Sequence, residues 1–155
     1  MKILKSLALG VCALTLSSCA STPQTYDFDN SREVAADFDA TWEGVIAYFA
    51  ENNIPIATVE KDSGLFVATD ERLASDNLKK LADCGGGIGG TPVTSQMSVN
   101  VFVRRKDLEV TSVQVNTRFS GTGVGLMNTT FQIDCNSNGT LETALLDRIE
   151  AKAAL

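Results

Sequence analysis

Apolar residues recur along this chain at two spacings. Trp42, Val45, Ile46 and Phe49 fall at i, i+3, i+4 and i+7, which is one face of an α-helix. Asp39 is placed to cap that helix, because a carboxylate there accepts from the orphan backbone amides. Asn52, Asn53 and Pro55 end it. A second helical stripe, Leu141, Ala144, Leu145 and Ile149, opens at Asn138-Gly139. Glu142 lies in its first turn, where negative charge is favoured.

Between the helices the period drops to two. Ile54 to Glu60 and Leu65 to Thr69 flank Lys61-Asp62-Ser63-Gly64, which is turn chemistry and predicts a β-hairpin. From Gln96 to Arg105, Met97, Val99, Val101 and Val103 alternate with polar residues, and Phe102 covers the far face. After the polar turn Arg105-Lys106-Asp107, a strand runs from Leu108 to Phe119. Its apolar set changes phase between Val110 and Val113, which predicts a β-bulge near Thr111 or Ser112. Ser120 to Gly125 reads as a glycine-rich loop, and Thr129, Phe131, Ile133 and Cys135 as a last strand. A first edge strand is expected near Ser31 to Ala35. A helical turn or two is expected between Asp70 and Asp83, carried by Leu73, Leu78 and Leu81. The order predicts an α+β domain: a curved antiparallel sheet of about five or six strands with two helices on one face.

Residues 1 to 18 have the parts of a bacterial export signal. Lys2 and Lys5 precede a short apolar run from Leu7 to Leu16. That run falls short of the about 20 apolar residues that span a bilayer. Leu16-Ser17-Ser18-Cys19 then resembles the lipobox of bacterial lipoproteins. The resemblance implies acylation of Cys19, cleavage before it, and a membrane anchor. Two or more chains hold stably, at roughly 0.8 kcal/mol per buried methylene. Ala20, where many inner-membrane lipoproteins carry aspartate, implies the outer membrane, facing the periplasm. Residues 19 to 25 are then the lipidated cysteine and a short tether, and residues 26 to 155 a single periplasmic domain.

Charge and cysteines fit that address. The net charge of −6 includes Lys2 and Lys5; without them 11 basic residues face 19 acidic ones, a charge of −8. So acidic a surface argues against nucleic acid as a partner and against lying flat on anionic lipid. Of four cysteines, Cys12 leaves with the signal and Cys19 takes lipid, so Cys84 and Cys135 remain to pair in an oxidising compartment. Their loop of about 50 residues is worth roughly 4 kcal/mol on the chain-entropy model.

Chemistry is sparse. There is no histidine, which removes Ser-His-Asp and Cys-His catalysis, and no enzyme is expected. No cofactor or metal set is evident. Gly85, Gly87 and Gly90 spell a dinucleotide fingerprint, but Thr91-Pro92 and a strand follow where a helix is needed. Arg104-Arg105-Lys106 is the basic cluster. It reads first as a solvated turn, and second as a contact for headgroups or an acidic partner. Trp42 reads as core.

The helix with Trp42, the Asp62-Ser63-Gly64 hairpin, the long strands and the closing helix resemble the helix-grip domains of envelope lipoproteins, such as the C-subunit lipoprotein of the β-barrel assembly machine. That relative carries two such domains behind a long leader; this chain has room for one. With no catalytic set and a membrane anchor, the chain is expected to be a non-catalytic binding or scaffolding module of the envelope, whose candidate partner is another envelope protein. An alternative is a carrier of a small apolar ligand, in a cavity lined by Trp42, Phe49, Val99, Val101, Val113 and Phe131.

Overall fold

Two long strands carry the architecture. The computed structural model describes residues 21–70, 72–86 and 92–154, so the expected signal segment, the lipobox-like Leu16-Ser17-Ser18-Cys19 and the expected acylation at Cys19 lie outside the described residues. In chain order the elements are β1 (Ser31–Val34), α1 (Phe38–Glu51), β2 (Ile56–Glu60), β3 (Leu65–Asp70), α2 (Ser75–Leu81), β4 (Ala82–Asp83), β5 (Thr94–Arg105), β6 (Thr111–Val124), a 3-10 turn (Leu126–Asn128), β7 (Thr130–Ser137) and α3 (Thr140–Ala153). The fold is α+β. Among the described residues seven strands form one antiparallel sheet in the order β2-β3-β5-β6-β7-β4, and β1 joins at β6. Strand β5 lies along one edge of β6 from Thr94↔Thr122 to Arg105↔Thr111. The other edge of β6 is shared. β1 pairs with residues 111–114 and β7 with residues 119–124.

Alternation decides which face is dry. Met97, Val99, Val101 and Val103 are buried, as are Phe66 and Ala68 across from them on β3 and Val113, Val115 and Phe119 on β6. Helices α1 and α3 cover this face with Trp42, Val45, Phe49, Leu145, Leu146 and Ile149. Trp42 is 3% exposed; it stacks on Phe38 with centroids 5.9 Å apart and meets Phe66 edge-on at 6.4 Å. Phe66 lies 4.5 Å from Phe49. These rings fill the space between α1 and the sheet. Of the six residues expected to line a cavity, five are buried there, and Phe131 lies elsewhere and is exposed.

Several elements depart from the pattern reading. The cap of α1 is Asp37, not Asp39: its Oδ1 accepts from the Ala40 amide at 2.8 Å. Phe38 can then enter the first turn and stack on Trp42, while Asp39 pairs with Lys61 at 2.9 Å. No bulge interrupts β6. The β5–β6 turn absorbs the change of phase: the amides of Lys106 and Asp107 both donate to the Val110 carbonyl at 3.0 Å, and Leu108 is left 82% exposed. Thr111 becomes the inward residue, its hydroxyl donating to the Ala36 carbonyl at 2.9 Å. The expected loop at residues 120–125 is instead strand as far as Val124. Ala144 is exposed, and Leu146 takes its place in the stripe. The hairpin turn is as expected, with Gly64 at φ 68° against the Val103 carbonyl.

Charge ties the layers at their rims. Arg32 of β1 donates to Asp147 at 2.6 Å and to Glu150 at 3.0 Å on α3. Glu51, the last residue of α1, receives Lys152 and Arg148 of α3, each at 2.8 Å. The Lys152 contact first, then Arg148, holds the Glu51 carboxyl down to about 2 from an ordinary 4.5. A depressed folded value contributes stability above pH 4.5 that is lost as pH falls toward 2. Replacing Glu51 with Gln is therefore expected to flatten the fall in urea midpoint across that window by lowering the neutral-pH midpoint toward its acid value, a modest drop because exposed pairs are weak. Truncating the buried ring stack, by Trp42→Ala, is expected to lower unfolding free energy by about 3–5 kcal/mol in the same titration.

Candidate functional site

The N-terminal leader does not hang free of the domain. Residues 21–24, expected as part of a tether, run beside the segment that follows β4. The Ser21 amide donates to the Gly86 carbonyl at 3.2 Å, and the Gly86 amide donates to the Ser21 carbonyl at 3.1 Å. The Gln24 amide donates to Asp83 Oδ2 at 3.0 Å. From β7, Asn136 Nδ2 donates to the carbonyls of Pro23 at 3.4 Å and Gln24 at 3.1 Å. Gly85 has φ 75°, and a Cβ there would sit 2.3 Å from the Ser21 carbonyl. The close approach thus needs both the left-handed backbone and the missing side chain.

The disulfide fixes this corner. Cys84 and Cys135 are bonded, their Cα atoms 4.1 Å apart. Cys84 follows the two-residue strand β4, which pairs with residues 136–137 of β7. Such a short strand adds little pairing; the covalent bond holds it to the sheet. Beside the disulfide is a cavity of about 290 Å³, walled by Tyr26, Leu78, Lys79, Cys84, Gly85 and Pro92 among others.

Trp42 and the basic cluster come together only through a third ring. The Arg105 guanidinium sits 5.3 Å over Phe38, which stacks on Trp42. Trp42 is sealed beneath and offers no surface. Lys106 approaches Glu33 at 3.7 Å, and Arg104 is exposed at the end of β5. Phe38, Asp39, Lys61, Asp62 and Arg105 line an open depression of about 360 Å³ at this end.

One residue with chemistry was missed by the pattern reading. Glu142 lies in the first turn of α3 as expected, but it is also 1% exposed. Thr117 of β6 donates to its Oε1, and the Ser137 hydroxyl of β7 donates to Oε2 at 2.9 Å. Ser137 in turn accepts the Gly139 amide at 3.2 Å. The signal was present: Glu142 lies three, four and seven residues before Leu145, Leu146 and Ile149, on the buried stripe itself. Sealed from solvent, the carboxylate locks α3 to two strands. Among the described residues no three metal-ligating side chains converge. Cys84 and Cys135 are consumed by their bond.

No protein-family model matches this chain, and no curated protein matches it.

Glu142→Ala is expected to lower stability by about 1–3 kcal/mol, because two part-buried hydroxyls lose their acceptor. Urea unfolding checks this, and an effect under 0.5 kcal/mol would mean that the network is slack.

Proposed function

We propose that this chain is a lipid-anchored protein of the bacterial outer membrane, facing the periplasm, and that its domain is a non-catalytic binding or scaffolding module for another envelope protein. The observation that carries the reading is the lipobox-like Leu16-Ser17-Ser18-Cys19 behind a charged start and a short apolar run. The Cys84–Cys135 disulfide supports an oxidising compartment. Sheet and helices in two layers support the likeness to helix-grip envelope domains. A chain without histidine, whose one buried carboxylate among the described residues is held by hydroxyls, supports binding over catalysis.

The partner surface is the uncovered sheet face. It presents Ser98 and Asn100 of β5 beside Asn116 and Arg118 of β6. Polar side chains in cross-strand rows, beside half-buried Phe102, Leu65 and Val67, make a surface that can both hydrogen-bond and pack against a partner.

Cell fractionation tests the anchor. The native chain is expected in the membrane pellet with acyl mass on Cys19, and the Cys19→Ala chain in the soluble periplasmic fraction. Membrane pelleting of that variant would overturn the reading. Crosslinking from Asn100 and Arg118 then identifies the partner.

A further inference from the structure

One end of the sheet differs from the rest of the molecule. There β5 begins, β6 ends and β7 begins. The Val93 amide donates to the Thr122 carbonyl at 2.9 Å, and the Gly125 amide to the Thr129 carbonyl at 2.7 Å across the 3-10 turn. Val93, Val124, Met127 and Phe131 are all exposed at this tip, Met127 to 98%. Met127 and Asn128 are both held at φ 59°, a left-handed backbone that a methionine seldom adopts. Single exposed apolar residues are ordinary on protein surfaces; four gathered at one tip are not.

The tip is also without charge. From Cys84 to Val103, 20 residues contain no Asp, Glu, Lys or Arg, and from Phe119 to Ile133 another 15 contain none. Both runs meet here, in a chain of net charge −6. The opposite end is the reverse, with Lys61 and Asp39 paired at 2.9 Å and Lys106 and Glu33 at 3.7 Å around the β2–β3 and β5–β6 turns. On the helix side the described charges nearest in pairing are Asp70, opposite Met97, and Arg72, next to Leu73, whose amide donates to the Ser95 carbonyl; Lys79 and Asp83 wall the cavity behind Pro92.

The leader heads for the same place. Strand β4 and the residues after it run antiparallel to β7, toward the start of β7. Going back from Gln24 to Ser21, the leader follows them from Asp83 to Gly86. Gly85 and Pro92 share a cavity wall, and Pro92 packs against Gly121 of β6. Cys19 is two residues before Ser21, a reach of at most about 7 Å.

We propose that the tip formed by Val93, Val124, Met127 and Phe131 sits in the headgroup boundary of the membrane to which the N-terminus is attached. This rests on the lipid-anchor reading above. An anchor so close gives the tip a high effective concentration at the bilayer, so a contact too weak to recruit the domain alone is occupied. Apolar side chains gain by leaving water, and a tip without charge has no ion to desolvate and no repulsion from anionic lipid. With the tip down, β5 stands away from the bilayer and holds Arg104 and the charged end about 40 Å off it.

Tryptophan quenching in vesicles tests the orientation. The full lipidated chain carries Met127→Trp or, as the comparison, Leu108→Trp at the other end. Each is reconstituted in phosphatidylcholine vesicles with or without bromine on the acyl chains, and the signal of buried Trp42 is subtracted using the native chain. The Met127→Trp emission is expected to fall at least two-fold with bromine and to resist iodide; the Leu108→Trp emission is expected to do the opposite. Val93→Trp serves if the first variant fails to fold. Flotation with vesicles combined with iodide quenching at the tip overturns the proposal while the anchor stands. Protection at the tip from both quenchers means that a second protein copy covers it, and also overturns it. Failure to float at all removes the anchor and this proposal together.

Discussion

A fourteen-residue strand and a fourteen-residue helix differ greatly in length, and the fold is arranged around that mismatch. Strand β6 extends about 48 Å, whereas α1 and α3, of fourteen residues each, extend about 21 Å. The helices therefore cannot cover the whole inner face of the sheet. Where they do, the inward positions of β6 are Thr111, Val113, Val115, Thr117 and Phe119. Beyond Phe119 they become Gly121 and Gly123. Pro92 packs into the first gap and the Phe131 ring into the second, its Cζ 2.6 Å from where a Cβ on Gly123 would stand. The chain closes its own face there with a proline and a ring from the neighbouring segments.

This explains which parts of the fold were legible beforehand. Regular periods were: the stripe of Trp42, Val45 and Phe49 and the alternation from Met97 to Val103 are consequences of one buried face each. From sequence alone the glycines at 121 and 123 suggest a loop, because glycine weakens a strand in isolation. They remain in register because β5 and β7 flank them on both edges, which is a tertiary fact. Leu108 and Val110 were counted as strand on hydrophobicity alone, yet the turn needs Val110's carbonyl for two amides, and Leu108 is displaced into solvent. The docked leader was illegible, since short polar residues carry no period and bind here by backbone groups. At the site, the disulfide follows from cysteine counting, whereas the burial of Glu142 shows only when its spacing is weighed ahead of its charge.

Glu142 shows how a carboxylate is kept in such a core. No cation reaches it among the described contacts; two hydroxyls donate to its two oxygens, and one of them also receives a backbone amide from the start of α3. Apolar stripes tolerate sliding and rotation by a residue or so. A buried acceptor with donors on β6 and β7 does not, because any other setting of α3 leaves three polar groups unpaired. The network thus selects one seating of α3, and through Arg32, Arg148 and Lys152 that seating also positions β1 and α1.

The corner where the leader meets Gly86 has a mechanical meaning. Tension applied at the N-terminus enters through the Ser21–Gly86 and Gln24–Asp83 hydrogen bonds, and Cys84 passes it by a covalent bond to the middle of β7. The pull is then spread along the β6–β7 ladder instead of peeling the two-residue β4 from its edge. A domain tugged by its own attachment would yield at the leader before it yielded in the sheet.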